Sequence, residues 1–398
     1  MALSTKRLGD LVLEAKPGFA CGEEAEDGIF QIRMNNITRD GRLDLSKRRL
    51  VPSQRPGMVN FLLREGDVLF NATNSPDLVG KTALFNAIDG PTVFSNHFLR
   101  LRVDPSILLP AYLSRWLQLQ FDRGTFKAMC RQWVNQATVG RDALLRLAVP
   151  LPSLAEQRRI AEALDRADDL RAKRREALAH LDELALGIFL DLFGSSETNP
   201  HGWPSIRLAN VLGIPLRNGI SPATRGEIEG YVLTLSSITG QQFNPTARKS
   251  ATFLVPHSAA QVVHPADFFI CRGNGNINLV GRGFFPLQAM PDTAFPDTII
   301  AARVRTELVR PAFLEHVWRS AGVRRQIELS AHTTNGTYKV NQKGLGGISF
   351  FSPPLELQDR FTARVAAVDA LRATYSSGLA ELDALFASLQ DRAFRGLL

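Results

Sequence analysis

The sequence predicts an α+β chain: two similar mixed α/β globular domains, separated and followed by long helices that pair as an antiparallel coiled coil. Three observations carry this expectation. The chain repeats itself at an offset of about 200 residues, each copy holds short apolar runs broken by Gly, Pro and Asn, and each copy ends in a 4-3 apolar spacing. The boundaries follow as 1–150 for the first domain, 151–194 for the first helix and 195–204 for a linker. The second domain takes 205–352 and the second helix 353–398.

The repeat rests on ordered matches. Arg7-Leu8 aligns with Arg207-Leu208, Asn36-Ile37-Thr38 with Ser237-Ile238-Thr239, and Asp67-Val68-Leu69-Phe70 with Asp267-Phe268-Phe269-Ile270. Further on, Leu78-Val79-Gly80-Lys81 falls on Leu279-Val280-Gly281-Arg282, and Pro110-Ala111-Tyr112-Leu113 on Pro311-Ala312-Phe313-Leu314. Single matches of this length are common; their order and near-constant offset point to duplication. Within each copy, strands are expected at 30–34, 68–71 and 98–103, then at 231–235, 268–271 and 298–304. A helix follows at 111–126, with its counterpart at 312–329.

Each domain ends in proline punctuation, Pro150-Leu151-Pro152 or Ser352-Pro353-Pro354, which disfavours helix before it and permits helix after it. Ser153 and Glu156 have capping-box spacing, so a helix of about 39 residues is expected to start there. Its seam is Ile160, Leu164, Ala167, Arg171, Arg174, Leu178, Leu181, Ala185 and Ile188. The same positions plus 201 are Phe361, Val365, Val368, Arg372, Tyr375, Leu379, Leu382, Phe386 and Leu389. Both seams are interrupted at one heptad position, by Arg171 and Arg372. A shared interruption predicts that the helices pair with each other, the polar residues limiting register slips.

At 398 residues the chain exceeds one ordinary domain, and 44% apolar residues with 24 Phe suit folded cores. No apolar run approaches a membrane span, and residues 1–7 lack the apolar stretch of a signal peptide, so a cytoplasmic protein is expected. Cys21, Cys130 and Cys271 are far apart without metal-ligand spacing and read as free, buried thiols. The net charge is +8. Residues 155–190 hold seven basic against eight acidic side chains and residues 355–395 hold five against six, so about +10 is left for the rest of the chain. The positive charge therefore belongs to the globular domains and favours a polyanionic partner.

Catalytic constellations are missing from the sequence. Ser75-Pro76-Asp77-Leu78-Val79-Gly80-Lys81-Thr82 ends like a phosphate-binding loop but lacks its leading glycine. Gly273-Asn274-Gly275 lacks the third glycine of a dinucleotide fingerprint and reads as a tight turn. His180 reads as a solvated helix position. No metal site is expected.

DNA contact calls for Arg and Lys against phosphate and guanine, and Asn and Gln against adenine edges. Lys47, Arg48 and Arg49 form one cluster in a turn-rich setting. Arg131, Gln132, Asn135, Gln136 and Arg141 form another before the first long helix. In the second domain Arg272, Asn274, Asn276, Asn278 and Arg282 alternate with glycine, followed by Thr337, Tyr338, Lys339, Asn341, Gln342 and Lys343. Lys81 joins them as the counterpart of Arg282. Two further readings stay open on these residues alone: a stand-alone DNA-modifying enzyme with an unfamiliar site, and a non-catalytic coiled-coil scaffold.

The stretch Pro150-Leu151-Pro152-Ser153-Leu154-Ala155-Glu156-Gln157-Arg158-Arg159-Ile160, with the doubled layout, resembles the specificity subunits of type I restriction-modification systems. The resemblance covers essentially the whole chain. It implies two target-recognition domains, each reading half of a split DNA site, and helices that set the gap while docking methylation subunits, two of them. It also implies no catalytic site in this chain: S-adenosylmethionine and ATP belong to partner subunits, the latter to a restriction and translocase subunit that joins through the assembled complex. The second copy departs from the motif. Pro353-Pro354-Leu355-Glu356-Leu357-Gln358-Asp359 is one residue shorter and places Leu357 and Asp359 where Glu156 and Arg158 stand, so an irregular second helix start is expected.

Overall fold

The duplication extends to individual strands in the computed structural model, which describes residues 4–398 apart from 55, 87, 133–135, 196, 224 and 335. The chain forms two compact units, Met1–Arg175 with Ser377–Leu398, and Glu176–Ser376. The division runs through both long helices, so each unit contains one globular segment and a half of each helix.

In the first unit Thr5–Arg7 pairs antiparallel with Ala148–Pro150, bringing the ends of the globular segment together. A four-stranded antiparallel sheet runs in the order Val12–Pro17, Phe98–Val103, Val68–Asn71, Thr82–Leu84. Val68, Leu69 and Phe70 are all buried, which is why that strand reads as an unbroken apolar run instead of an alternation. A second sheet orders Leu50–Val51, Ile29–Ile32 and Thr92–Phe94, the last pair parallel.

The second unit repeats this plan. Ser205–Arg207 pairs with Ser349–Phe351, and a four-stranded sheet orders Arg217–Asn218, Ile299–Arg303, Asp267–Cys271 and Gly283–Phe284. Its second sheet orders Arg248–Phe253, Ile228–Leu233, Met290–Ala294 and Val262–Val263, again with one parallel pair. The repeated aspartates have one job. Buried Asp67 accepts Arg102 Nε at 2.6 Å and buried Asp267 accepts Arg303 Nε at 2.6 Å, each tying adjacent strands together.

The expected helix over 111–126 is two helices, Pro110–Asp122 and Thr125–Met129, because Gly124 takes a left-handed conformation at φ +73°. Its counterpart breaks for a different reason: Ser320 Oγ accepts the Val323 N–H and starts Ala321–Ser330 afresh after Pro311–Trp318. Both first helices carry Pro at their start, where its missing N–H costs nothing.

The long helices span Leu154–Phe193 and Leu355–Phe394, 40 residues each. Their starts are equivalent, which corrects the irregular second start expected from the motif. Only half of the capping box forms: Ser153 Oγ accepts the Glu156 N–H at 3.3 Å, while the Glu156 carboxylate pairs with Arg159.

Within each unit the helix halves run antiparallel. In the first, Arg159 reaches the Leu398 carbonyl and Arg171 pairs with Asp383 at 2.6 Å. In the second, Arg372 pairs with Asp182 at 2.7 Å and Arg364 with Asp191 at 3.2 Å. The two seam interruptions are therefore equivalent cross-helix ion pairs. Ile160, Leu164 and Phe386 join the first core, with Leu389 packed against it. Phe361 and Val365 join the second, and Leu181, Ala185 and Val368 form a small cluster flanked by Ile188 and Tyr375. Leu178, Leu379 and Leu382 are half-buried. All three cysteines are free, but only Cys271 is buried; Cys21 and Cys130 are partly exposed, against expectation.

Candidate nucleic-acid interface

Each unit carries a third, smaller sheet built from residues far apart in sequence. In the first unit Ala137–Thr138 lies between Arg131–Gln132 and Thr73–Asn74. In the second, Thr337–Lys339 lies between His332–Thr334 and Gly273–Asn274. The registers match: Asn74 faces Ala137 as Asn274 faces Tyr338. Gly273-Asn274 is thus a strand and not the tight turn expected.

Short polar strands of this kind are held by local side-chain bonds. Buried Asn71 donates to the Thr73 and His97 carbonyls at 3.2 Å, anchoring the first-unit strand, and Thr73 Oγ1 meets Thr138 Oγ1 at 3.2 Å. After the second-unit strand, Asn274 Oδ1 accepts the Asn276 N–H at 2.9 Å and Asn276 Oδ1 accepts the Asn278 N–H at 3.0 Å. These two Asx turns set the path of the loop and use the side-chain oxygens, leaving amide N–H groups as donors.

The structure sorts the sequence candidates into three groups. Arg131 and Gln132 sit exposed on the first small sheet, with exposed Gln136 beside it and exposed Arg141 at the start of the helix Arg141–Leu145. Lys339 is exposed on the second sheet and Lys343 on the following helix, while Asn276 and Asn278 are exposed in the loop and Tyr338 and Thr337 are half-buried. Within each unit the exposed members lie on or beside the same small sheet.

A second group is already engaged. Arg49 donates to the Gly22 and Glu23 carbonyls, exposed Arg48 stacks over the Phe30 ring at 5.0 Å, and exposed Lys47 acts on the Asp44 carboxylate through its charge. Arg272 donates to the Asp297 carbonyl at 3.1 Å. Asn341 Oδ1 caps the helix Gln342–Gly347 through the Gly344 N–H, and Gln342 donates to Asn218 Oδ1 at 3.3 Å.

The third group holds one correction, Lys81, and one cation bonded within its own unit, Arg282. Lys81 is 6% exposed, and its ammonium donates to the Met34 and Ile37 carbonyls, burial holding its pKa below the ordinary lysine value. Half-buried Arg282 donates to the Thr239 carbonyl at 3.1 Å, its pKa lowered by burial and then by Arg319. Both cations staple the equivalent turn of their own unit, an internal role that removes Lys81 from any DNA surface. Asn135 lies outside the described residues.

Asn74 and His332 also lie on the small sheets, outside the clusters that the sequence points to. Asn74 was within reach, since it aligns with Asn274 at the same offset of 200 that relates Phe70 to Ile270. His332 carries no motif and becomes visible only through its pairing with Lys339.

Among the described residues no helix is long and apolar enough to cross a membrane. Residues 5–180 match the model of the type I restriction modification DNA specificity domain. Over 393 residues the chain is 24% identical to the type I restriction enzyme StySPI specificity subunit of Salmonella potsdam, covering 94% of this chain and 83% of that one. It is 22% identical over 391 residues to the EcoKI specificity subunit of Escherichia coli, with the same coverage. The fold is similar to that of the S subunit of a type I restriction-modification system from M. genitalium: 14% identity, TM-score 0.52, with 98% of this chain and 96% of that one covered.

Proposed function

The chain belongs to the specificity-subunit family of type I restriction-modification systems, and on that premise we propose that each of its globular domains reads one half of a split DNA site without a catalytic site of its own. The observation that carries this reading is the equivalent small sheet in each unit, which presents Arg131, Gln132 and Gln136 in one and Lys339 with the Asn274–Asn278 loop in the other. Two readers on one chain call for two half-sites, and the paired helices set the gap.

Partner docking is supported by side chains that the helix pairing leaves uncovered. Exposed Leu170 and Leu385 lie on the helix halves of the first unit, and exposed Leu184 and Leu371 on those of the second. Leu170 is equivalent to Leu371 and Leu184 to Leu385, so each unit offers the same pair of apolar positions, which suits two copies of a methylation subunit. S-adenosylmethionine would be held by those subunits and ATP by a restriction subunit joining the assembly.

Mapping methylated bases across the host genome, with and without this gene, tests the reading directly. Loss of one split motif is the expected result; an unchanged map sinks it. Exchanging residues 205–350 should then alter only one half of the motif. In binding assays, Arg131→Ala and Lys339→Ala should each reduce the slope of log affinity against log salt by roughly 1 if they contact phosphate.

A further inference from the structure

Each long helix opens with a glutamine whose side chain is fully buried, Gln157 and Gln358, both 0% exposed. Gln157 Oε1 accepts the Leu109 N–H at 2.8 Å, and its Nε2 donates to the Ile107 carbonyl at 3.1 Å and the Pro152 carbonyl at 3.0 Å. Gln358 Oε1 accepts the Arg310 N–H at 2.8 Å, and its Nε2 donates to the Pro353 carbonyl at 2.8 Å. Leu109 and Arg310 are the residues immediately before Pro110–Asp122 and Pro311–Trp318, the first helix of each globular domain.

One amide thus joins three stretches of backbone in each unit: the entry to the domain's own helix, the proline punctuation, and the start of the long helix. The joint needs an acceptor and a two-hydrogen donor on a stem of two methylenes. Glutamate lacks the donor, asparagine the length, and methionine both polar groups. The copies differ on either side, Glu156 against Leu357 and Arg158 against Asp359, yet share the glutamine. What the two helix starts have in common is therefore this joint.

We propose that Gln157 and Gln358 are positioning residues that fix the angle at which each recognition domain leaves its own long helix, and through it the gap length the chain accepts between half-sites. The role in gap selection rests on the reading of two domains as two half-site readers. It is separate from base choice, because neither glutamine reaches the small sheets.

The test uses the full chain co-expressed with its methylation subunits and a DNA library in which both half-sites are fixed and the gap varies. The wild-type chain should methylate one gap length. Gln157→Met should spread methylation to neighbouring gap lengths while base preference within each half-site stays as it was, and amide exchange at Leu109 should lose protection by about tenfold. Gln358→Met should do the same with exchange at Arg310. A lowered melting temperature with gap choice still confined to one length would reduce the glutamine to a structural role and overturn the proposal. Unchanged exchange at Leu109 would remove the joint itself. A wild-type chain that methylates no split site would sink the half-site reading and the gap role with it, while the exchange data still judge the joint. Should Gln157→Met fail to fold, Gln157→Glu keeps the size and the acceptor, loses the donor, and is read by the same two measurements.

Discussion

The two units seat a globular domain on a helix pair by different chemistry. In the first, Asp168 is 1% exposed and accepts Arg42 at 2.8 Å, Arg115 at 3.4 Å and Arg171 at 3.0 Å, while Arg171 also reaches Asp383 and stacks 4.2 Å over the Phe386 ring. In the second, Asp369 pairs among the described residues with Arg372 and stays half-open to solvent, and the position of Arg115 holds His316. The seat there is aromatic: Phe189, Phe193, Phe313, Phe351 and Phe361 lie with ring centroids 5.0 to 6.3 Å apart, and His316 stacks among them, its pKa lowered by burial. Both copies keep the cross-helix pair, Arg171 with Asp383 and Arg372 with Asp182. Register needs a specific charge at a specific place, whereas filling the seat needs only volume and satisfied polar groups, so the first was retained and the second diverged.

The largest break in this comparison comes from removing an aromatic ring. Phe193 is fully buried against Phe313, Phe351 and Phe361, so Phe193→Ala should destabilise the second unit by about 3–5 kcal/mol in urea unfolding followed by probes in each unit. Its counterpart Phe394 has one ring neighbour among the described residues, Tyr112 at 5.1 Å, and Phe394→Ala should fall at or below the lower end of that range in the first unit. Equal costs would mean that the aromatic seat is no more than ordinary core.

The ionic seat gives the next effect. Asp168→Asn leaves Arg42, Arg115 and Arg171 without their shared buried carboxylate and should cost the first unit roughly 3 kcal/mol. Asp369→Asn removes an exposed pair and should cost under about 1 kcal/mol. If the two substitutions proved alike, the distinction between an ionic and an aromatic seat would not hold.

Much of this was legible in the sequence, and what was not has physical reasons. The seam and its interruptions at Arg171 and Arg372 were readable because helical periodicity is local and sustained over 40 residues. The strand Val68–Asn71 was readable as an apolar run, and Phe98–Val103 as apolar residues interrupted by Arg100 and Arg102. The small sheets were not, since strands of two or three residues are too short for a period and their pairing joins residues about 65 apart, as Thr73 with Thr138. Lys81 misled because a lysine is normally solvated; the two carbonyls that hold it belong to a turn more than 40 residues earlier. The second helix start looked irregular because Leu357 and Asp359 changed, while the residue that fixes the start, Gln358, had not.

The smallest effect separates the units by pH. A cleft of about 510 Å³ in the first unit is lined by Arg39, Gln118, Asp122, Arg171 and Gln390 among others, and burial pushes the Asp122 carboxyl up to about 6, against opposing pulls from the Gln118 hydrogen bond, Arg171 and Arg39. In the second unit the equivalent position is Val323, buried in the core. Because the folded pKa of Asp122 lies above its ordinary value of 3.8, the folded chain binds the proton more tightly between the two. The stabilisation from that proton is complete below about pH 4, is lost as pH rises through 6, and changes no further above. Both units also hold groups of the opposite sign, Asp44, Asp77 and Asp104 in the first and Asp292 and Asp359 in the second, whose lowered pKa values give a contribution lost as pH falls. Burial raises Glu315 in the second, so the copies differ at this one position and not in sign. Asp122→Asn should therefore flatten the melting temperature of the first unit between about pH 4 and 6 and leave that of the second unchanged. A slope that survives the substitution would assign the titration to another group and erase this difference between the copies.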